Sequence, residues 1–365
     1  MTDAFAKPEL RDLVRQFTRK EIVPHLDGWE RAGEVPRDLH RRAAELGLLG
    51  IGFPEEVGGE GGDLLDSIVV TEEIIQSGGS SGLIAALFTH GIALPHIVSS
   101  GDRDLIDRFV RPTLRGELIG CLAITEPDGG SDVAGIRTTA KADGDSYIVN
   151  GTKLFITSGA RADFATTAVR TEEGIKLLVA EGFTVTRTLE KMGWHCSDTA
   201  ELSFVDVRVP RTHDVGGFHE LMRHFAAERL SLAVQCYATA QRCLDLTLAW
   251  VRDRHTFGRP LASRQLVRHR LAEMARQVDV ARTYVRHTAE RVASGEQLVT
   301  EVAMAKNTAV AACDHVVDQA VQLHGGLGYL RDTEVERHYR DARIMGIGGG
   351  TTEIMNEIIA KQLGV

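Results

Sequence analysis

Cysteine is scarce in this chain of 365 residues, and what there is lies scattered: Cys121, Cys196, Cys236, Cys243 and Cys313 are odd in number and never in CxxC spacing. That pattern suggests neither a zinc site nor a disulfide framework, and it reads as reduced thiols in a cytoplasm-like compartment. Basic blocks are missing too, and the formal net charge is -9, so nothing offers to neutralise phosphates and no nucleic-acid partner is expected. The chain lacks an uninterrupted apolar run of about 18 residues, which argues against a membrane-spanning helix. Residues 1–21 alternate charges and lack the apolar stretch of a secretory signal. No internal repeat or low-complexity tract is present.

Against these absences stands an ordinary globular composition, 43% hydrophobic and 25% charged, at a length that suits two or three domains with real cores. Leu10, Leu13, Val14 and Phe17 recur at helical spacing, as do Leu39, Ala43, Leu46 and Leu49, and a second helical set runs from Leu64 to Val98. Gly58-Gly59-Glu60-Gly61-Gly62 reads as a flexible loop. From about Gly120 to Val209 short β-branched or aromatic segments take over, punctuated by Asp143-Gly144, Asn150-Gly151 and Ser158-Gly159. That is the mark of hairpins in a small antiparallel barrel or sandwich. Amphipathic stretches at 218–254, 264–293, 298–323 and 351–363 return to helical spacing. The expected class is α+β: a helical domain at 1–118, a β domain at 119–212 and a C-terminal four-helix-bundle domain at 213–365.

Five ordered motifs carry candidate chemistry. Leu122-Ala123-Ile124-Thr125-Glu126-Pro127-Asp128-Gly129-Gly130-Ser131-Asp132 ends a strand in a Pro/Gly-rich turn, which aims N–H groups and hydroxyls into one concavity; taken alone it is an exposed turn. Lys153-Leu154-Phe155-Ile156-Thr157-Ser158 holds an aromatic that is either core or an apolar face for a bound ring. Arg254-His255-Thr256-Phe257-Gly258-Arg259-Pro260, with Gln265 following, offers a guanidinium that is either a solvated helix-end charge or a planar fork for an anion. Gln322-Leu323-His324-Gly325-Gly326-Leu327-Gly328-Tyr329 and Gly346-Ile347-Gly348-Gly349-Gly350-Thr351-Thr352-Glu353-Ile354 complete the set.

In this order the motifs resemble the acyl-CoA dehydrogenase family, flavoenzymes that desaturate acyl-CoA thioesters, and the resemblance covers essentially the whole chain. It implies FAD, with Leu122, Ile124 and Thr125 along the ring edge, Ser131 at the pyrophosphate and beside the substrate, and Phe155 and Thr157 on a second flavin strand. It also implies a homotetramer, a pair of dimers. There Arg254, Thr256, Phe257, Gln265, Gln322, Gly325 and Gly326 would serve the flavin of a neighbouring subunit. Thr351 and Glu353 fall at further cofactor contacts, Glu353 reading equally as a surface helix charge. Trp194 and Ser197, in a further matching segment, are expected to shape structure. No metal is implied.

The family removes an α-proton while a hydride leaves the β-carbon for flavin N5, and electrons pass on to an electron-transferring flavoprotein. Most members carry the base as a glutamate immediately before Gly-Thr; here that slot is Gly349, which with Gly350 can only offer backbone to the substrate. The isovaleryl and long-chain branches instead carry a Glu before Arg-Leu on the first long helix of the C-terminal domain. This chain reads Glu228-Arg229-Leu230 there. By resemblance Glu228 is the base and Arg229 orders the substrate or the helix; taken alone, Glu228 is a solvated charge near a helix start. Two other readings stay open: a non-catalytic flavin-binding subunit of a mixed oligomer, with Gly349 marking a dead site, and an oxidase or monooxygenase on the same fold.

Overall fold

The computed structural model describes residues 4–365, which fall into two compact units that do not follow chain order. One comprises the segment ending at Asp27, Leu64–Ser81 and Ala226–Val365; the other comprises Gly28–Asp63 and Gly82–Phe225. The amino-terminal half supplies α1 (Pro8–Phe17), α2 (Leu26–Ala32), α3 (Arg37–Glu45), α4 (Leu64–Gln76), α5 (Ser81–Leu87), α6 (His90–Ser100) and the short α7 (Arg103–Leu105) and α8 (Arg111–Leu114). Pro8 opens α1 at a position with no helical N–H bond to lose, and the expected apolar stripe buries Val14 and Phe17. Helix α3 buries Leu39 and Ala43 but stops at Glu45, so Leu46 and Leu49 lie in the turn beyond it. Segment Ser81–Ser100 is long and apolar enough for a membrane span by composition, yet 67% of that window is buried. It is also two helices, α5 and α6, interrupted at Phe88-Thr89.

The glycine run at 58–62 differs from the flexible loop expected. Gly59 N–H donates to Pro54 O at 3.0 Å, Glu60 N–H to Gly50 O at 2.9 Å and Gly61 N–H to Phe53 O at 2.9 Å. A β-carbon on Gly59 would lie 2.1 Å from Phe53 O. The glycine is there for close backbone approach, a demand that composition cannot distinguish from flexibility.

Eight strands form one sheet: β1 (Gly120–Ala123), β2 (Thr139–Asp143), β3 (Ser146–Thr157), β4 (Phe164–Thr171), β5 (Gly174–Ala180), β6 (Thr184–Thr188), β7 (Thr199–Pro210) and β8 (Asp214–Gly217). Their order is β6-β7-β3-β2-β4-β5-β8, with β1 paired to β4. The expected antiparallel barrel or sandwich needs two corrections. The sheet is open, with β6 and β8 as its ends, so no closed barrel forms among the described residues. It is also mixed: β1 runs parallel to β4 from Gly120↔Phe164 to Ala123↔Thr167, and β2 meets β4 in parallel at Thr139↔Arg170. Parallel pairing needs a long connection, and between β1 and β4 the β2–β3 hairpin provides it. Asp143-Gly144 does turn that hairpin, whereas Asn150-Gly151 lies inside β3 at a register shift.

Both faces of the central strands are covered. Phe164, Ala168, Leu177 and Val179 join a cluster with Phe109, Val215 and Leu221, while their alternate neighbours Ala165, Val169, Leu178 and Ala180 join one with Tyr147, Val149, Leu202 and Phe204. This is the period-two geometry of a strand buried on both sides, and each large apolar side chain so buried contributes about 1.5–3 kcal/mol.

The remaining elements are α9 (Phe218–Asp253), a small hairpin of β9 (His255–Thr256) and β10 (Arg259–Pro260), α10 (Gln265–Ala293), α11 (Val299–His324), α12 (Glu334–Ala342) and α13 (Thr352–Leu363). The four long amphipathic stretches thus fold as α9, α10, α11 and α13, and α12 is an addition. A buried ionic node ties α1, α4, α9 and α10 of this unit. Glu72 accepts from Tyr237 Oη at 2.5 Å, from Arg11 at 2.5 Å and from Arg286 at 2.7 and 2.8 Å.

Candidate active site

Glu228 and the glycine turn before α13 meet in the helical unit. Glu228, Leu232 and Cys236 are spaced four apart on α9 and so share one face. Gly349 and Gly350 hold φ of 63° and 94°, a left-handed backbone that side-chain-bearing residues adopt at a cost, so the turn is built for glycine. Thr351 closes it by capping α13, its side chain accepting from Ile354 N–H at 3.3 Å. Glu353 is exposed one residue into that helix, where free N–H groups favour a carboxylate.

A β-carbon placed on Gly349 would lie 3.5 Å from Glu228 Oε1, 3.7 Å from Lys306 Nζ and 2.6 Å from Leu232 Cδ1. The carboxylate from α9 therefore reaches the place where a side chain of residue 349 would begin. Lys306 Nζ donates to Gly348 O at 2.5 Å and also to Gly350 O, and Arg229 Nε donates to Gly349 O at 3.3 Å. Glu228 itself is half-buried. Burial raises its pKa above the usual carboxylate range, opposed by the nearby charges of Lys306 and Arg229. Burial also pushes Lys306 down to about 8. A half-dehydrated carboxylate of raised basicity beside polar backbone is what proton abstraction from a weak carbon acid requires.

The second group of predicted residues sits on the sheet. Leu122 is in β1, Ile124 is buried just after it, and Thr125 O accepts from Leu154 N–H at 2.8 Å, which ties the turn to β3. Phe155 is not core: it is 64% exposed, with φ of 60°, inside the β3 register shift between Lys153 and Ile156. The bulge turns the ring outward; half-buried Thr157 follows it along β3, and half-buried Thr125 is tied through its carbonyl to Leu154, the residue before the ring. An open aromatic face on a bulged strand suits a flat heteroaromatic ring. Ser131 is exposed in the following loop, where Asp132 Oδ1 accepts from Gly135 N–H at 3.1 Å.

A third group lies at one end of the helical unit. Arg254 and Gln265 are exposed, Thr256 O accepts from Arg264 at 2.8 Å, and Phe257 is 96% exposed with φ of 50°. Gln322 is exposed near the end of α11, and a β-carbon on Gly325 or Gly326 would meet nothing within 4 Å. Trp250 joins these two segments: its Nε1–H donates to Leu323 O at 3.1 Å, His324 stacks on it at 5.4 Å, and the Arg254 guanidinium lies 5.7 Å from its ring centre.

Sequence reasoning overlooked Lys306, Leu232, Trp250 and the pair Lys153–Glu126. Lys153 Nζ is fully buried and donates to Ile124 O at 2.9 Å and Glu126 Oε1 at 2.8 Å, while Glu126 also accepts from Arg137 N–H at 2.6 Å and Thr138 N–H at 2.9 Å. A lysine in a strand otherwise bound for the core, with an acid in the neighbouring motif, was the available signal.

Residues 6–117, 121–207 and 216–364 match the family models described as the acyl-CoA dehydrogenase N-terminal, middle and C-terminal domains. The long-chain specific acyl-CoA dehydrogenase of Mus musculus mitochondria is 39% identical, across 97% of this chain and 85% of the relative. The acryloyl-CoA reductase (NADH) of Anaerotignum propionicum is 34% identical, across 97% and 93%. Among solved structures, a probable acyl-CoA dehydrogenase of Mycobacterium abscessus superposes with a TM-score of 0.97 at 62% identity, covering 99% of this chain and 100% of that one. A glutaryl-CoA dehydrogenase of Mycobacterium smegmatis in complex with FADH2 superposes at 0.93 with 26% identity, covering 99% and 96%.

Proposed function

The chain belongs to the acyl-CoA dehydrogenase family, and within that FAD-dependent oxidoreductase chemistry we propose that Glu228 is the base that desaturates an acyl-CoA thioester. One observation carries this reading: Glu228 Oε1 comes within 3.5 Å of where a side chain on Gly349 would start. A carboxylate thus reaches, from a different element, the place that family members with a glutamate before Gly-Thr use for theirs.

In the proposed reaction Glu228 takes the α-proton of the bound thioester, and its partial dehydration strengthens it as a base. The turn at Gly349 and Gly350 presents backbone to the thioester, held in shape by Arg229 and Lys306. Thr125, Ser131, Thr157 and the face of Phe155 would hold FAD, which would supply the acceptor for the hydride that leaves the β-carbon. Electrons then go to an electron-transferring flavoprotein. The pairing of Glu228 with this turn counts against a non-catalytic subunit. The reductase relative favours a second reading by direction alone, since protonated Glu228 returns a proton to the α-carbon when the same steps run backwards. Anaerobic mixing with saturated acyl-CoA thioesters of graded length is expected to bleach the flavin. Failure of every saturated thioester, together with reoxidation of the reduced enzyme by an enoyl-CoA, would assign the reverse direction.

The exposed Arg254, Phe257, Gln265, Gln322, Gly325 and Gly326 support a site completed by a second chain, in a homotetramer of paired dimers. Arg254→Ala is expected to weaken FAD binding roughly ten- to a hundredfold, the loss of a charge-assisted hydrogen bond worth about 1.5–3 kcal/mol, and to loosen the assembly with it. Sedimentation with absorbance at the flavin band checks both at once. A flavin-loaded monomer would contradict the shared site.

A further inference from the structure

Three successive carbonyl oxygens, those of Gly348, Gly349 and Gly350, are held by two cationic side chains: Lys306 takes the outer two and Arg229 the middle one. Lys306 does this from α11 with its side chain almost wholly buried. An ammonium in such a place is costly unless its donors are used, and methionine would fill a similar volume without that cost. The charge also lies 3.7 Å from the point on Gly349 that Glu228 Oε1 approaches to 3.5 Å.

On the reading that Glu228 is the base, we propose that Lys306 is its positioning residue, clamping the glycine turn beside the carboxylate and holding that carboxylate ionised while the pocket is dehydrated. The two functions come from one group. Its N–H donors fix the turn, and its charge offsets the desolvation that would otherwise protonate Glu228. The charged and titratable groups facing Glu228 are Lys306 from α11 and Arg229 from α9. Those facing Lys306 are Cys236, Glu228 and Arg229, all from α9, while the turn contributes the backbone carbonyls. Without the Lys306 charge, Arg229 alone opposes burial, so Glu228 takes up its proton at higher pH.

The experiment is single-turnover flavin reduction of the FAD-loaded enzyme, under anaerobic conditions, as a function of pH. The variants are Lys306→Gln, Lys306→Met and Lys306→Arg, with Glu228→Gln alongside. Glutamine retains amide donors for the turn but no charge, methionine retains neither, and arginine retains both. The midpoint of the acid limb is expected to rise by about one pH unit or more in the glutamine and methionine variants. It should stay near the wild-type value in the arginine variant, and Glu228→Gln should lack the limb. A wild-type midpoint in both neutral variants would overturn the role of Lys306 while leaving Glu228 as base. A wild-type limb surviving in Glu228→Gln would overturn the base itself. If only the arginine variant binds FAD, Lys306 is a structural clamp and its influence on ionisation is rejected.

Discussion

Glu228→Gln is expected to keep the fold, the flavin spectrum and acyl-CoA binding while slowing flavin reduction by a good substrate at least roughly a hundredfold, within the range for loss of a general base. Glutamine is nearly isosteric, so Leu232, Lys306 and the glycine turn should keep their places, and the missing proton acceptor is the main change. The same substitution should not lower thermal stability at neutral pH. A carboxyl whose folded pKa is raised by burial favours the folded state fully only below its unfolded value, about 4.3, and loses that contribution as pH rises through the folded value. Melting temperatures should therefore favour Glu228→Gln over wild type more at pH 8 than at pH 5. Near-normal flavin reduction in Glu228→Gln would reject the relocated base. Adding Gly349→Glu is not expected to rescue the variant, although the motif pattern alone suggests a vacant slot. Residue 349 has φ of 63°, and its β-carbon would lie 2.6 Å from Leu232 Cδ1, so a carboxylate enters only if Leu232 moves and the turn accepts strain.

Lys153→Met is expected to cost about 3–5 kcal/mol, the usual consequence of removing one partner from a buried ion pair, and to release FAD. With side-chain exposures of 0% and 7%, Lys153 and Glu126 are screened very little by solvent. Losing the ammonium leaves the Glu126 carboxylate with only the N–H groups of Arg137 and Thr138, and leaves Ile124 O without the lysine donor. Those groups lie beside Thr125 in the turn where the flavin is proposed to lie, so the loss of stability and of cofactor should appear together. Denaturant midpoints and FAD retention on gel filtration measure them. Converting Glu126 to leucine as well should not restore stability, because the two backbone N–H groups then lose their acceptor. Wild-type stability in Lys153→Met would show that the pair is dispensable.

Contiguous features of this protein were legible in its residues alone. Helical spacing located α1, α3, α9, α10, α11 and α13 to within a few residues, and the start but not the end of α4, because a helix's apolar stripe repeats within the helix itself. The motif at 122–132, the Phe155 strand and the glycine turn at 346–351 stood out because each packs its signature into one short run, but taken alone each left its chemistry open and the resemblance assigned it. Glu228 could be named only through resemblance, since nothing local separates it from a solvated charge.

What stayed hidden is what depends on groups distant in sequence. The parallel pairing of β1 with β4 joins residues 44 apart, and alternation within a strand says which faces are buried without saying which strand lies alongside. Phe155 reads equally as core or surface until the bulge in β3 turns it out. Lys306 and Gly348, or Lys153 and Ile124, become partners only when separate elements pack, for a lysine in an apolar stretch announces a need for acceptors but not which carbonyls meet it. Whether Gly349 could hold a side chain was decided by Leu232 and by a backbone angle, and neither the letter G nor its neighbours in the chain encode the distance to a helix that begins about 130 residues earlier.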